Sequence, residues 1–212
     1  MDIQPEQIQK KLALLDRVNS QDCPPLPGLQ SNPKLPAAVL IPLLQDRDIW
    51  KMLFIKRTQQ QSDRHSGQIA FPGGRAEPGD EGLLETALRE TMEEIGLNPD
   101  DVRVLGQSCP ITTVTDYQVS PFVGLLPWPY RLKLSPIEVE KTILVPLEWL
   151  NDPVNREVKY WRSPAVPERE LPVIFFNEFE GEILWGATAQ IVVDFLQIIQ
   201  DNQLDGINLV PT

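Results

Sequence analysis

Glu90, Glu93 and Glu94 crowd three carboxylates into five consecutive positions. On a helix, Glu90 and Glu94 stand one turn apart and Glu93 beside them. The flanking residues agree with a helix: Leu84, Ala87, Leu88, Thr91 and Ile95 recur at three- and four-residue steps. That period predicts a helix over 82–95 with an inward apolar stripe and the acidic arc opposite it. Gly96 suits a C-terminal cap and Pro99 stops continuation. Like charges at this spacing cost a helix roughly 0.2–0.5 kcal/mol per pair. A divalent cation would turn that repulsion into ligation.

Three carboxylates without a nearby His or Cys suit the hard, oxygen-seeking ions Mg²⁺ or Mn²⁺. Glu90, Glu93 and Glu94 are therefore the candidate metal ligands, joined by a backbone carbonyl at Gly73, since Gly73-Gly74 precede the helix and allow close backbone approach. Arg89, one turn before Glu93, is positioned to orient it. The plain alternative is a solvated acidic helix with Arg89 as a routine ion-pair partner. Glu85 is assigned that plainer role.

The charge balance, 19 Lys plus Arg against 30 Asp plus Glu, disfavours general nucleic-acid binding. No run reaches the roughly 18 apolar residues of a membrane span, and the amino terminus lacks an apolar leader. Cys23 and Cys109 suggest neither a disulfide framework nor a zinc site, so a reducing cytoplasm is expected.

Along the chain, an amphipathic helix is predicted over Ile3–Val18, then a Pro-rich connector from Cys23 to Pro36. Strands are predicted at Ala37–Leu44, Ile49–Arg57, Val102–Gly106, Gln118–Leu126, Thr142–Leu147, Glu157–Trp161 and Val173–Phe176. Ile183–Leu184 and a helix from Ala187 to Gln200 close the chain. Strands outnumber helices without alternating with them, which indicates an α+β class.

The string from Arg89 to Leu97 resembles the second half of the Nudix box: Arg-Glu, an apolar residue, any residue, Glu-Glu, any residue, Gly, apolar. The first half departs from it. From Gly74 the acid at the usual spacing is Asp80, which leaves eight residues before Arg89; Glu81 keeps the usual seven but lies one further from Gly74. Either could fill the box's first acidic position. The resemblance implies an α/β/α sandwich around a mixed sheet, with residues 1–35 as an N-terminal extension, 36–204 as the Nudix domain and 205–212 as a tail.

Leu53-Phe54-Ile55-Lys56-Arg57, Gly67-Gln68-Ile69-Ala70-Phe71-Pro72-Gly73-Gly74 and Tyr117–Gly124 are similar to the branch that hydrolyses coenzyme A and its derivatives. Asp63 stands where that branch has Arg, with Arg64 next to it. The resemblance implies a small-molecule nucleoside diphosphate substrate met by Arg57, Arg64 and Arg75. Catalytic roles fall to Arg89, Glu93 and the distal acid Glu138, with Glu140 as its alternate. His65, the one histidine, is expected to be exposed. ADP-ribose or a dinucleotide is the alternative substrate, and a non-catalytic Nudix-fold module a more distant alternative.

Overall fold

A computed structural model describes residues 4–15, 35–59, 67–162 and 170–201. Cys23, the Pro-rich connector up to residue 34, the segment with Asp63, Arg64 and His65, and the tail 205–212 lie outside them.

The centre is β1 (Leu35–Asp46), whose middle is buried on both faces. Such a strand reads as a continuous apolar run, as Ala38-Val39-Leu40-Ile41 does here. β1 pairs antiparallel with β2 (Ile49–Arg57) and with the short β4 (Gly73–Arg75), and parallel with β7 (Tyr117–Leu125). β3 (Ile69–Ala70) and β8 (Val139–Pro146) add to β2, while β5 (Arg103–Gln107) and β6 (Ile111–Thr112) add to β7. One parallel pair among antiparallel ones makes this eight-stranded sheet mixed. The class is α+β, as the sequence predicts.

Period two sorts the core. Ala38, Leu40 and Leu44 of β1, with Leu53 and Ile55 of β2, meet Ala87 and Ile95 of α2 (Leu83–Ile95). Their neighbours Ile41, Leu43, Met52 and Phe54 point the other way. There they meet Ile8 and Leu12 of α1 (Pro5–Leu15) and Ile191, Val192 and Phe195 of α4 (Gly186–Gln200). Each such fully buried side chain contributes roughly 1.5–3 kcal/mol. Helices thus cover both faces of the sheet. Lys11 of α1 donates from Nζ to the Ile199 carbonyl at 2.9 Å, filling an acceptor that the end of α4 leaves open.

The late strands form a sheet of their own: β9 (Arg156–Arg162), β10 (Glu170–Phe179) and β11 (Glu182–Trp185) pair antiparallel after α3 (Leu147–Asn151). Lys56, Lys141, Glu140 and Glu182 tie it to β2 and β8, through Lys56–Glu182 and Lys141–Glu182 pairs of 2.9 Å each. Cys109 is disulfide-bonded, against the expectation of no disulfide. Among the described residues, no helix is long and apolar enough to cross a membrane.

Candidate active site

The loop before α2 is organised by one carboxylate. Asp80 accepts from the Glu77 amide at 2.9 Å and from the Thr86 hydroxyl at 2.7 Å. It also takes Arg89 in a two-point pair, Nε at 2.9 Å and Nη2 at 3.2 Å. Such paired charge-assisted bonds fix orientation as well as energy. Arg89, then the Glu77 amide and Thr86, hold the Asp80 carboxyl well below the usual range. Asp80, not Glu81, is therefore the acid that meets Arg89. Glu81 instead donates its amide to the Glu85 carboxylate, which closes the first turn of α2.

Arg89 reaches further. Its Nη1 donates to Glu90 at 3.0 Å and to Glu93 at 3.2 Å, and its Nη2 to the Arg75 carbonyl at 3.2 Å. One guanidinium thus spans the loop, strand β4 and two of the three acids. The Arg75 residue itself is exposed on β4.

The acids are not alike. Glu93 is 56% exposed, Glu90 19% and Glu94 3%. This corrects the simple picture of an acidic face opposite an apolar one: Glu94 is buried next to Ile95. Its cover is specific. Oε2 accepts the Gly73 amide at 2.9 Å, and Oε1 lies 3.5 Å from Nη1 of Arg57 at the end of β2. Burial drives the Glu94 carboxyl up to about 8, with Glu90 and Glu138 adding to the rise and the Gly73 amide and Arg57 opposing it. Burial likewise raises Glu90, Arg89 opposing and Glu93 and Glu138 reinforcing.

Both glycines are required here. A Cβ on Gly73, whose φ is +149°, would lie 2.6 Å from Val39 Cα. A Cβ on Gly74 would lie 2.5–2.6 Å from the Glu90 oxygens. Neither position tolerates a side chain without moving the strand or the acid.

Glu138, the distal candidate, belongs to this group, since its charge acts on both Glu90 and Glu94. The segment before β8 is fastened to the end of α2: Lys133 donates its amide to the Ile95 carbonyl and Ser135 to the Glu94 carbonyl, each at 2.8 Å. A bulge in the β2–β8 ladder sets Arg57 opposite Val139 and leaves Glu140 as the extra residue. Glu140 turns to Lys56 at 3.2 Å, so the structure takes this alternate away from the acids.

The donor set fits a hard divalent cation. Glu90 and Glu94 offer oxygen only, are partly or fully out of water, and repel one another. Among the described residues, no three Asp, Glu, His or Cys side chains come together closely enough to hold a metal ion by themselves, so Glu90, Glu93 and Glu94 do not form the three-carboxylate cluster that their spacing suggests. An open set of few carboxylates is what Mg²⁺ uses when it keeps waters and substrate oxygens.

A model of the NUDIX domain matches residues 34–161, more than half of the chain. The chain belongs to the Nudix hydrolase family. A Nudix hydrolase NudL, uncharacterized, from Photorhabdus laumondii subsp. laumondii is 34% identical over 191 residues, covering 89% of this chain and 99% of that protein. Another of the same name from Yersinia enterocolitica is 34% identical over 171 residues, covering 79% of this chain and 83% of that one. A solved MutT/nudix family protein from Enterococcus faecalis aligns with a TM-score of 0.53 at 12% identity, covering 95% of this chain and 78% of that one. That likeness concerns the fold alone.

In this Nudix diphosphatase, Arg89 contacts Glu90 and Glu93, and Glu94 meets Gly73 and Arg57; Glu138 acts on Glu90 and Glu94 through its charge, and Arg64 lies outside the described residues. Sequence reasoning missed Thr86 and the roof over Glu94. A Thr six residues after Asp80 was a visible signal for the first. Nothing local signals the second, which needs β2 and β4 packed on α2.

Proposed function

We propose that this Nudix hydrolase, which acts on nucleoside diphosphate compounds, takes coenzyme A or a derivative and releases 4′-phosphopantetheine and adenosine 3′,5′-bisphosphate. The observation that carries this reading is the meeting of two separate segments of the coenzyme A-type pattern at one carboxylate. Leu53–Arg57 ends in the cation facing Glu94, and Gly67–Gly74 supplies the amide bonded to it. β2 and β3 pair Ile55 with Ala70 and Lys56 with Ile69, so the two segments share one register.

In the proposed mechanism, a water attacks one phosphorus of the diphosphate and the bridging P–O bond breaks. Glu138 takes the proton of that water. Arg57 and Arg75 would meet the phosphoryl oxygens; the third cation that the sequence suggests, Arg64, lies outside the described residues. Arg89 fixes Glu90 and Glu93, and the Gly73 amide fixes Glu94. Mg²⁺ or Mn²⁺ held by Glu90, Glu94 and Glu93, with the Gly73 carbonyl, would neutralise phosphoryl charge and acidify the attacking water.

A second reading, ADP-ribose or a dinucleotide as substrate, is favoured by Asp63 at the position where the coenzyme A pattern has Arg. A substrate panel with Mg²⁺ or Mn²⁺, read by chromatographic separation of the two phosphomonoester products, separates the two. Coenzyme A should give the highest kcat/KM; preference for ADP-ribose or a dinucleotide, unchanged by Asp63→Arg, would overturn the coenzyme A reading.

A further inference from the structure

We propose that Thr58 is a positioning residue that aims Glu138 at the diphosphate site, an inference that rests on the reading of Glu138 as the distal acid. Thr58 donates twice to consecutive carbonyls: its hydroxyl to Ile137 at 2.5 Å and its amide to Glu138 at 2.9 Å. These two carbonyls belong to the peptide planes on either side of the Glu138 Cα. With both planes pinned, φ and ψ of Glu138 are set, and so is the direction of its Cα–Cβ bond. The far side is closed by the Glu138 amide, which donates to the Ser135 carbonyl at 3.1 Å. Ser135 in turn donates its own amide to the Glu94 carbonyl. A continuous chain of hydrogen bonds therefore runs from the backbone of the buried acid Glu94 to that of the exposed acid Glu138, and Thr58 locks its outer end.

Packing does not do this work. Pro136 and Glu138 are exposed, and Ile137 is 72% exposed. A segment without a buried side chain takes its direction from hydrogen bonds, and such segments are otherwise the mobile parts of a protein. The amide bond of Thr58 continues the β2–β8 ladder and any residue but Pro could make it. The hydroxyl bond is particular to Thr or Ser. Sequence position 58 thus carries a requirement that backbone pairing alone does not.

The test compares Thr58→Val, Thr58→Ser, Glu138→Gln and the double variant Thr58→Val/Glu138→Gln, on the fastest substrate of the panel above with Mg²⁺. Thr58→Val should lower kcat about ten-fold with KM within a factor of about two, in the range of losses that orienting partners cause. Thr58→Ser should restore most of kcat. In the Glu138→Gln background, Thr58→Val should have no further effect, because a residue that acts through another is silent once that other is gone. Thermal melting establishes that each variant is folded, and Thr58→Ala replaces Thr58→Val if the latter is not. Independent, additive losses, or a kcat that Thr58→Val leaves intact while Glu138→Gln lowers it, would overturn the inference about Thr58 alone. A normal kcat in Glu138→Gln would overturn both that inference and the distal-acid reading.

Discussion

Asp80 and Glu94 show opposite treatments of a carboxylate. At the loop, Asp80 is 6% exposed, yet it is matched by a guanidinium, a hydroxyl and an amide, and its acidity is strengthened. At the site, Glu94 is buried even more deeply, but its cationic neighbour Arg57 stands off at 3.5 Å while Glu90 and Glu138 add negative charge, and its acidity is weakened. The shifts are opposite because donors dominate at Asp80, whereas at Glu94 the loss of water dominates and the Gly73 amide and Arg57 do not offset it. Among the described residues, Asp80 has a two-point cation while Glu94, with Glu90 and Glu138 acting on it, is left short of positive charge. That shortfall is what a divalent cation would fill, and the cation would in turn attract the phosphates of the substrate.

The largest way to break this contrast is to neutralise the under-compensated side. Glu94→Gln or Glu90→Gln should lower kcat by about two orders of magnitude or more, measured by product formation in Mg²⁺. Near-normal kcat in both variants would show that the charge shortfall has no catalytic purpose. Because Glu94 is buried, the fold of its variant must be checked by melting, whereas exposed Glu93 carries no such concern.

Breaking the compensated side should cost less. Arg89→Ala should lower activity about 10- to 100-fold, since it acts by orienting Glu90 and Glu93. It should also lower the melting temperature, because Asp80 loses its two-point partner. The sign for Asp80 is that of a depressed carboxyl: its contribution is present above the ordinary carboxylate range and lost as pH falls toward its folded value. Asp80→Asn should therefore flatten the acid limb of a stability–pH curve.

Glu94 has the reverse sign. Its folded value, about 8, lies above the unfolded one of 4.5. The folded state then binds the extra proton between those values, so metal-free protein should lose stability as pH rises from about 4.5 toward 8. Glu94→Gln should remove that loss and be more stable at pH 8 by about 1–3 kcal/mol, read from denaturant midpoints. Mg²⁺ should raise the wild-type midpoint most at that pH and the variant's hardly at all.

The helix, its stripe and the three acids were legible because each depends on spacing within one element. The longer strands of the main sheet, β1, β2, β5, β7 and β8, were legible as local apolar patterns, whereas the two- and three-residue strands β3, β4 and β6 are too short to carry one. What escaped depends on distant segments. Whether Asp80 or Glu81 meets Arg89 is decided by the path of a loop, and spacing left both open. The burial of Glu94 needs Gly73 and Arg57 brought over it from two strands. Spacing left Glu140 as the alternate to Glu138, and only the bulge, which pairs Glu140 with Lys56, separates the two. The separation of β9, β10 and β11 into their own sheet follows from pairing partners, which periodicity does not name.

Calorimetric titration of metal-free protein with Mn²⁺ at pH 7, in two buffers of different ionisation enthalpy, tests the charge shortfall most directly. With the Glu94 carboxyl held near 8, wild type should release roughly one proton per Mn²⁺ bound, while Glu94→Gln should release almost none and bind more weakly. Equal affinity and equal proton release in the two proteins would contradict the account.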